Sequence, residues 1–122
     1  MVDYKLGNIE QKFADFIWER APLSTKELVN FCISQLGWKR PTTYSVLRKL
    51  CEKGFFQMEN SMVTVLTTKE EYNSIQSEKF VDETFEGSLP KMIVAFASRK
   101  KMSREEFDEL YAAIESIQED DQ

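Results

Sequence analysis

The sequence predicts a mainly α-helical fold with one small β-hairpin, and three observations support this prediction. Apolar residues recur with a helical period before residue 54 and again after residue 67. Between these regions, the segment FFQMENSMVTVLTT is rich in aromatic and β-branched residues and is split by turn formers. Ser, Thr, Pro and Gly residues stand where helices would begin and end.

The first two predicted helices are separated by a proline. Residues 8–20, NIEQKFADFIWER, carry apolar side chains at positions 9, 13, 16 and 17, which is the spacing of an amphipathic helix. Pro22 disfavours helical geometry at the residue before it. Ser24 and Glu27 form a capping box, which predicts a second helix over residues 25–36.

The third predicted helix carries the densest positive charge of the chain. It starts near Pro41, which suits a first helical turn, and runs to Lys53, where Gly54 suits a left-handed C-terminal cap. Apolar positions 46, 47, 50 and 51 share one face of this helix. Residues 37–56 contain five basic residues against the single acid Glu52; the basic residues are Lys39, Arg40, Arg48, Lys49 and Lys53.

The order of elements predicts two regions. Three helices followed by a β-hairpin, which turns at Asn60 and Ser61, are the order of a winged helix-turn-helix domain over residues 1–67. In residues 68–122 the helical period returns and predicts three more helices, which Thr68, Ser88 and Ser103 would cap. These short amphipathic helices cannot easily bury their apolar faces alone, so we expect a helical dimerisation region.

Charge is distributed unevenly over the chain, whose formal net charge is -5. Residues 1–55 hold nine Lys or Arg against six Asp or Glu, a net of +3, and residues 56–122 hold seven against fifteen, a net of -8. A nucleic-acid binder needs a local basic face rather than a basic chain, because only the phosphates it neutralises release counterions. The first half therefore predicts a DNA-binding surface.

Composition argues against catalysis and against a membrane. There is no His, the two Cys residues are far apart, and no two Gly residues are close enough for a phosphate-binding loop, so we expect no enzyme activity, no metal site and no cofactor. No apolar run approaches the ~20 residues needed to span a bilayer, so we expect no membrane insertion. The N-terminus lacks a secretory pattern, which predicts a cytoplasmic protein.

The third helix supplies the candidate DNA contacts. Hydroxyl and phenol groups beside Arg and Lys suit contacts to phosphates and base edges, and we also expect Thr43 to be such a donor. Basic residues at a helix N-terminus favour phosphate. The candidate DNA-binding residues are Lys39, Arg40, Thr42, Tyr44, Ser45, Arg48 and Lys49. Alternatively, these basic residues form a solvated surface that binds no partner.

Apolar residues after residue 67 supply the candidate dimer contacts. The alternative use of these aromatic residues is a ligand pocket, but packing between subunits is the commoner one. The candidate interface residues are Phe80, Phe85, Ile93, Phe96, Phe107, Leu110, Tyr111 and Ile114.

Several segments, in this order, resemble the penicillinase repressor family, the BlaI, MecI and CopY type of winged-helix transcriptional regulator. Residues 10–18 resemble its opening helix ending in Trp, and LSTKELVNFC resembles its second helix. Residues 38–55 resemble the recognition helix that runs from Trp to a Lys-Gly pair. EEY, FEGS and MSREEFDELYAAI resemble the dimerisation region.

This resemblance implies a homodimeric repressor that binds a palindromic double-stranded operator through its third helix. The chain departs from the family's pattern in two places. The family's wing usually carries a basic turn followed by Tyr, whereas QMENSMVTVL has no Lys or Arg and contains Glu59. The copper-responsive branch ends in closely spaced Cys residues, which are absent from ESIQEDDQ, so copper sensing is not expected.

The resemblance also implies how repression ends. Family members that respond to β-lactams are cleaved beside an Asn-Phe pair, and the similar position here is Ala95-Phe96. Ala95 and Phe96 are therefore the candidate cleavage site, and a membrane-bound sensor protease is a candidate partner. The alternative function is a winged-helix protein-interaction or sensor module without operator binding, because a fold alone does not determine function.

Overall fold

A computed structural model describes residues 2–120 of the chain. The described residues divide into two compact units, which belong to Met1–Lys79 and Phe80–Gln122. Residues 121 and 122 of the expected helical region lie outside the described residues. The helices are α1 (Asn8–Arg20), α2 (Thr25–Phe31), α3 (Arg40–Glu52), α4 (Lys69–Thr84), α5 (Leu89–Arg99) and α6 (Arg104–Asp120).

Three short strands form one antiparallel sheet. They are β1 (Leu23–Ser24), β2 (Phe56–Glu59) and β3 (Met62–Val65), in the order β1-β3-β2. In the register, Phe56 lies opposite Val65 and Leu23 lies opposite Val63. The fold class predicted from the sequence, mainly α with a β-hairpin wing, is therefore confirmed.

The predicted helix caps are formed. The Ser24 hydroxyl accepts the Glu27 N–H at 3.1 Å, and the Ser88 hydroxyl accepts the Lys91 N–H at 3.2 Å. The hydroxyls of Thr68 and Ser103 accept the N–H groups three residues later. Because these caps satisfy N–H groups that have no partner inside the helix, they fix where each helix begins.

The second predicted helix has two parts. After α2 the chain continues as a π-helical segment, Cys32–Leu36, and Gly37 ends it with a positive φ of 67°. The Trp38 N–H then donates to the Cys32 carbonyl at 3.1 Å, and the Trp38 ring lies 5.6 Å from that of Phe13. This turn sets the start of α3 beside α1.

One hydrophobic core holds the first unit together. Its fully buried side chains come from α1, α2, α3 and the sheet, and Trp18 packs against them while its indole N–H donates to the Thr67 carbonyl at 2.9 Å. Tyr72 of α4 is buried in the same core. The largest fully buried side chains are Phe13, Ile17, Leu23, Leu28, Leu47, Leu50, Phe55, Phe56 and Val63.

The N-terminal residues also belong to this core, which the sequence did not indicate. Val2 and Leu6 are buried, and the Leu6 N–H donates to the Tyr72 hydroxyl at 2.8 Å. Because Tyr72 packs here, the first unit extends to Lys79, beyond the expected boundary at residue 67. Where the DNA-binding function ends along the chain stays a prediction.

The second unit consists of the end of α4 and helices α5 and α6. From Phe80 to Gln118, none of the described side chains is buried. Phe80 and Phe85 pack edge to face with ring centroids 5.8 Å apart. This unit therefore has apolar faces but no closed core within the described chain.

Candidate nucleic-acid interface

Helix α3 begins with positive charge. Lys39 is its N-terminal capping residue with extended backbone geometry, Arg40 is the first helical residue, and Pro41 follows in the first turn. The N–H groups of Thr42 and Thr43 both donate to the Lys39 carbonyl, at 3.1 and 3.3 Å. The helix dipole adds partial positive charge at this end, so the site favours an anion such as phosphate.

The two faces of α3 are sharply different. Thr43, Leu47 and Leu50 are buried, and they recur at spacings of four and three residues along the side that packs on the core. Thr42, Ser45 and Arg48 are exposed at three-residue spacing, which places them along one side of the helix. The exposed row presents two hydroxyls and a guanidinium to solvent.

Tyr44 links α3 to the start of α2. It is half-buried, and the Arg40 guanidinium carbon lies 5.8 Å from the centre of its ring. A hydrogen bond from the Thr25 hydroxyl, and then the Arg40 guanidinium, hold the pKa of the Tyr44 phenol below its ordinary value. By the helical period, Tyr44 lies beside the exposed row rather than at its centre.

Lys49 has protein partners. Its ammonium lies 3.2 Å from Glu10 Oε2 on α1 and 4.8 Å from the centre of the Tyr4 ring. Lys53 lies over the same ring at 5.5 Å. Hydrogen bonds with Tyr4 and Glu10 raise the pKa of Lys49. This edge of α3 therefore carries less uncompensated positive charge than the sequence suggested.

The expectation that Thr43 is a surface donor is wrong. Its side chain is only 1% exposed, and its hydroxyl oxygen has no hydrogen-bond partner among the described residues. Burial also raises the pKa of the Cys32 thiol in the same core. Position 43 falls on the core side because it lies four residues before Leu47 and seven before Leu50.

The wing is a tight hairpin without basic groups. Asn60 and Ser61 have positive φ values of 53° and 61°, which suits the two-residue turn between β2 and β3. Between Phe56 and Val65 the exposed side chains include two methionines, Met58 and Met62, but no Lys or Arg. The wing could therefore contact DNA only through neutral side chains, and the negative charge of Glu59 would repel the DNA phosphates.

Two residues of this region were not identified from the sequence. Tyr4 donates to both carboxylate oxygens of Glu10, at 2.7 and 3.0 Å, and Glu10 also accepts the Gly7 N–H at 3.0 Å. The position of Glu10, three residues after the residue that caps α1, is a signal of the capping bond. Nothing in the sequence pattern indicated that the same carboxylate reaches Lys49.

The second unit presents a separate apolar surface. An apolar cleft of about 320 Å³ lies between α5 and α6, with Ile93 on one side and Phe107 on the other. Its remaining lining residues are Leu89, Pro90, Val94, Leu110, Tyr111 and Ile114. Five of the eight candidate interface residues line this cleft, whereas Phe80, Phe85 and Phe96 do not.

Among residues 2–120 no cluster of His, Cys, Asp and Glu side chains could hold a metal ion. Over the same residues no helix is both long enough and apolar enough to cross a membrane.

Comparison with known proteins gives consistent matches along nearly the whole chain. The family profile described as penicillinase repressor matches residues 6–116. The chain is 24% identical over 115 residues to the penicillinase repressor of Bacillus licheniformis, covering 91% of this chain and 90% of that protein. It is 22% identical over 113 residues to the methicillin resistance regulatory protein MecI of Staphylococcus aureus, covering 88% and 90%.

Among solved structures, Staphylococcus aureus MarR in complex with salicylate and kanamycin is similar with a TM-score of 0.42 and 16% identity. The match covers 93% of this chain and 72% of that chain.

Proposed function

The chain belongs to the penicillinase repressor family, whose members are transcriptional repressors rather than enzymes, and we propose that it is a dimeric operator-binding repressor. As a family member it is a DNA-binding transcriptional regulator. In the proposal, each subunit places α3 in the major groove of one half of a palindromic operator.

The exposed row on α3 is the observation that carries this proposal. Thr42, Ser45 and Arg48 offer donors and acceptors on the side of the helix opposite the buried row. Arginine recognises guanine edges with two hydrogen bonds, and hydroxyls contact bases or phosphates. We assign base contacts to this row, so α3 reads sequence while the core holds it in place.

Phosphate contacts are assigned to the N-terminal end of this row. Lys39 and Arg40 lie at the positive N-terminus of α3, and Tyr44 lies beside Arg40. Lys49, the seventh candidate, could contact a phosphate only in competition with Glu10, which lies 3.2 Å from its ammonium.

Dimerisation is assigned to the second unit. Phe107 is 52% exposed and Tyr111 is 60% exposed, although both belong to the apolar face of α6. Phe80, Phe85, Ile93, Phe96, Leu110 and Ile114 are the other proposed contacts. Burial of these side chains against a second copy would remove apolar surface from water, and a two-fold dimer matches a palindromic operator.

Release from DNA by proteolysis is also part of the proposal. Ala95 and Phe96 lie inside α5, where the Ala95 carbonyl accepts the Ser98 hydroxyl at 2.8 Å and the Phe96 carbonyl accepts the Lys100 N–H at 2.9 Å. A protease needs an extended chain, so cleavage requires α5 to unwind locally. A cut here would separate α6 from the rest, and we propose a membrane-bound sensor protease as the partner.

A second function is favoured by the distribution of charge. The wing has no Lys or Arg, Lys49 is paired, and the chain carries a net charge of -5. These features suit a winged-helix protein-interaction or sensor module that does not bind an operator.

Electrophoretic mobility of DNA from the gene's own promoter distinguishes the two functions. The protein is titrated against this fragment and against an unrelated fragment of equal length, at two salt concentrations. Retention of the promoter fragment alone at the higher salt supports the repressor. If neither fragment is retained at low salt, the interaction module is favoured, because electrostatic DNA binding is strongest there.

A further inference from the structure

The contacts of Lys49 point to a role for a residue outside α3. Glu10 on α1 holds the Lys49 ammonium at 3.2 Å, and its own side chain is 18% exposed. We propose that Glu10 is a specificity-determining residue that withholds Lys49 from the DNA backbone, so that binding depends on the exposed row of α3. This inference rests on the proposed DNA binding.

The Glu10 carboxylate is fixed in place by other donors. The Tyr4 hydroxyl lies 2.7 Å from Oε1 and 3.0 Å from Oε2, and the Gly7 N–H donates to Oε1 at 3.0 Å. Tyr4 is itself packed edge-on against the buried Phe55 ring, with centroids 6.3 Å apart. A phosphate that approached Lys49 would therefore meet a negative charge that cannot move aside.

Lys49 is nevertheless able to reach solvent. Its side chain is 48% exposed, so the ammonium is not enclosed by the fold. Removal of the Glu10 charge would leave Lys49 as a free cation on the edge of the proposed recognition helix. Because each neutralised phosphate releases counterions, this change has a measurable signature in the salt dependence of DNA affinity.

The expected consequence is a protein that binds all DNA more tightly. Replacement of Glu10 by Gln removes the charge but keeps an amide oxygen that can accept the Gly7 N–H, since Gln also serves in capping boxes. For an unrelated duplex, the plot of log affinity against log salt concentration should become steeper by about 0.9 per subunit. The ratio of affinities at 50 mM and 200 mM salt should then rise roughly threefold per subunit.

Two variants serve as controls. Asp15→Asn removes a carboxylate from the same helix and breaks its pair with Lys69 on α4, at 3.1 Å, so it changes the net charge equally without touching α3. Its salt dependence should equal that of the unaltered protein. The double variant Glu10→Gln with Lys49→Met restores the original net charge and should restore the original salt dependence.

The experiment measures fluorescence anisotropy of a labelled unrelated duplex and of the promoter fragment from 50 to 200 mM salt, with thermal unfolding to confirm that each variant is folded. A steeper salt dependence confined to Glu10→Gln supports the inference. It is overturned by an unchanged or lower affinity in Glu10→Gln, by an equal effect in Asp15→Asn, or by a double variant that keeps the steeper dependence. If the unaltered protein binds neither duplex, the proposed function fails first and the inference fails with it.

Discussion

At the scale of single residues, α3 serves the fold and the proposed interface at once. Leu47 and Leu50 are buried in the core, while Arg48 between them is exposed. Within residues 2–120 no carboxylate oxygen lies within 4.0 Å of a guanidinium nitrogen of Arg48. A side chain that contributes little to the fold is available for DNA.

Replacement of Arg48 by Ala should weaken operator binding and leave the fold intact. Loss of a base contact costs about 1–3 kcal/mol and relaxes specificity at one position, whereas loss of a phosphate contact weakens all sequences alike and flattens the salt dependence. Tyr44→Ala should weaken binding as well. Anisotropy titrations measure both effects, with Lys12→Ala on α1 as a control for lost charge. Unchanged affinity in both variants would rule out the proposed docking.

Replacement of Leu50 by Ala should act through stability instead. The side chain is fully buried, so its removal leaves a cavity that costs about 2–5 kcal/mol in the free energy of unfolding. Urea denaturation followed by circular dichroism measures this cost. Val46→Ala on the same helix, where Val46 is only half-buried, should cost less. An equal cost in the two variants would contradict the assignment of the core face.

At the scale of elements, local signals predicted the helices, and tertiary contacts decided what the signals missed. Ser24, Thr68 and Ser88 cap helices where their sequence positions indicated, because a cap is a contact between near neighbours. The two residues of β1 became a strand only because β3 lies beside them. Sequence patterns contain no comparable information about pairing across 38 residues or more.

In the candidate site, too, local patterns predicted which side of the helix is exposed but not the contacts between distant residues. The exposed side of α3 followed from the helical period, which correctly placed Leu47 and Leu50 in the core. Thr43 was misassigned because a hydroxyl suggests a surface, whereas its helical position directs it inward. The pair between Glu10 and Lys49 joins residues 39 positions apart, so neither period nor spacing could predict it.

The extent of the first unit gives an element-scale prediction. A chain ending at Lys79 should fold cooperatively, because it keeps Tyr72 and its hydrogen bond from the Leu6 N–H. A chain ending at Thr67 loses this aromatic side chain from the core and should be less stable by about 3–5 kcal/mol, the cost of removing a buried aromatic ring. Thermal unfolding compares the two. Equal stability would show that α4 is dispensable for the first unit.

At the scale of the whole molecule, charge and apolar surface are divided between the two units. Met1–Lys79 holds eleven Lys or Arg against ten Asp or Glu, a net of +1, and Phe80–Gln122 holds five against eleven, a net of -6. The cleft between α5 and α6 is lined entirely by apolar or aromatic side chains, and Phe107 and Tyr111 are exposed there. A monomeric soluble protein rarely leaves such a surface uncovered, which supports assembly through the second unit.

Light scattering should therefore give the mass of a dimer at micromolar concentration, and a chain ending at Lys79 should give the mass of a monomer. Phe107→Glu should shift the full chain toward monomer, because a carboxylate cannot be buried unpaired at an apolar interface. Glu105→Gln on the same helix is a control at an exposed polar position. A monomeric full chain at this concentration would contradict the dimeric repressor.

Hydroxyl-radical footprinting of the gene's own promoter tests most directly whether a dimer reads DNA through α3. We expect two protected segments related by two-fold symmetry, with centres one helical turn apart, about 34–36 Å, or a whole number of turns apart. Arg48→Ala should weaken both segments together, since each subunit contributes the same side chain. A single asymmetric segment, or a footprint that Arg48→Ala leaves unchanged, would contradict binding by a symmetric dimer through α3.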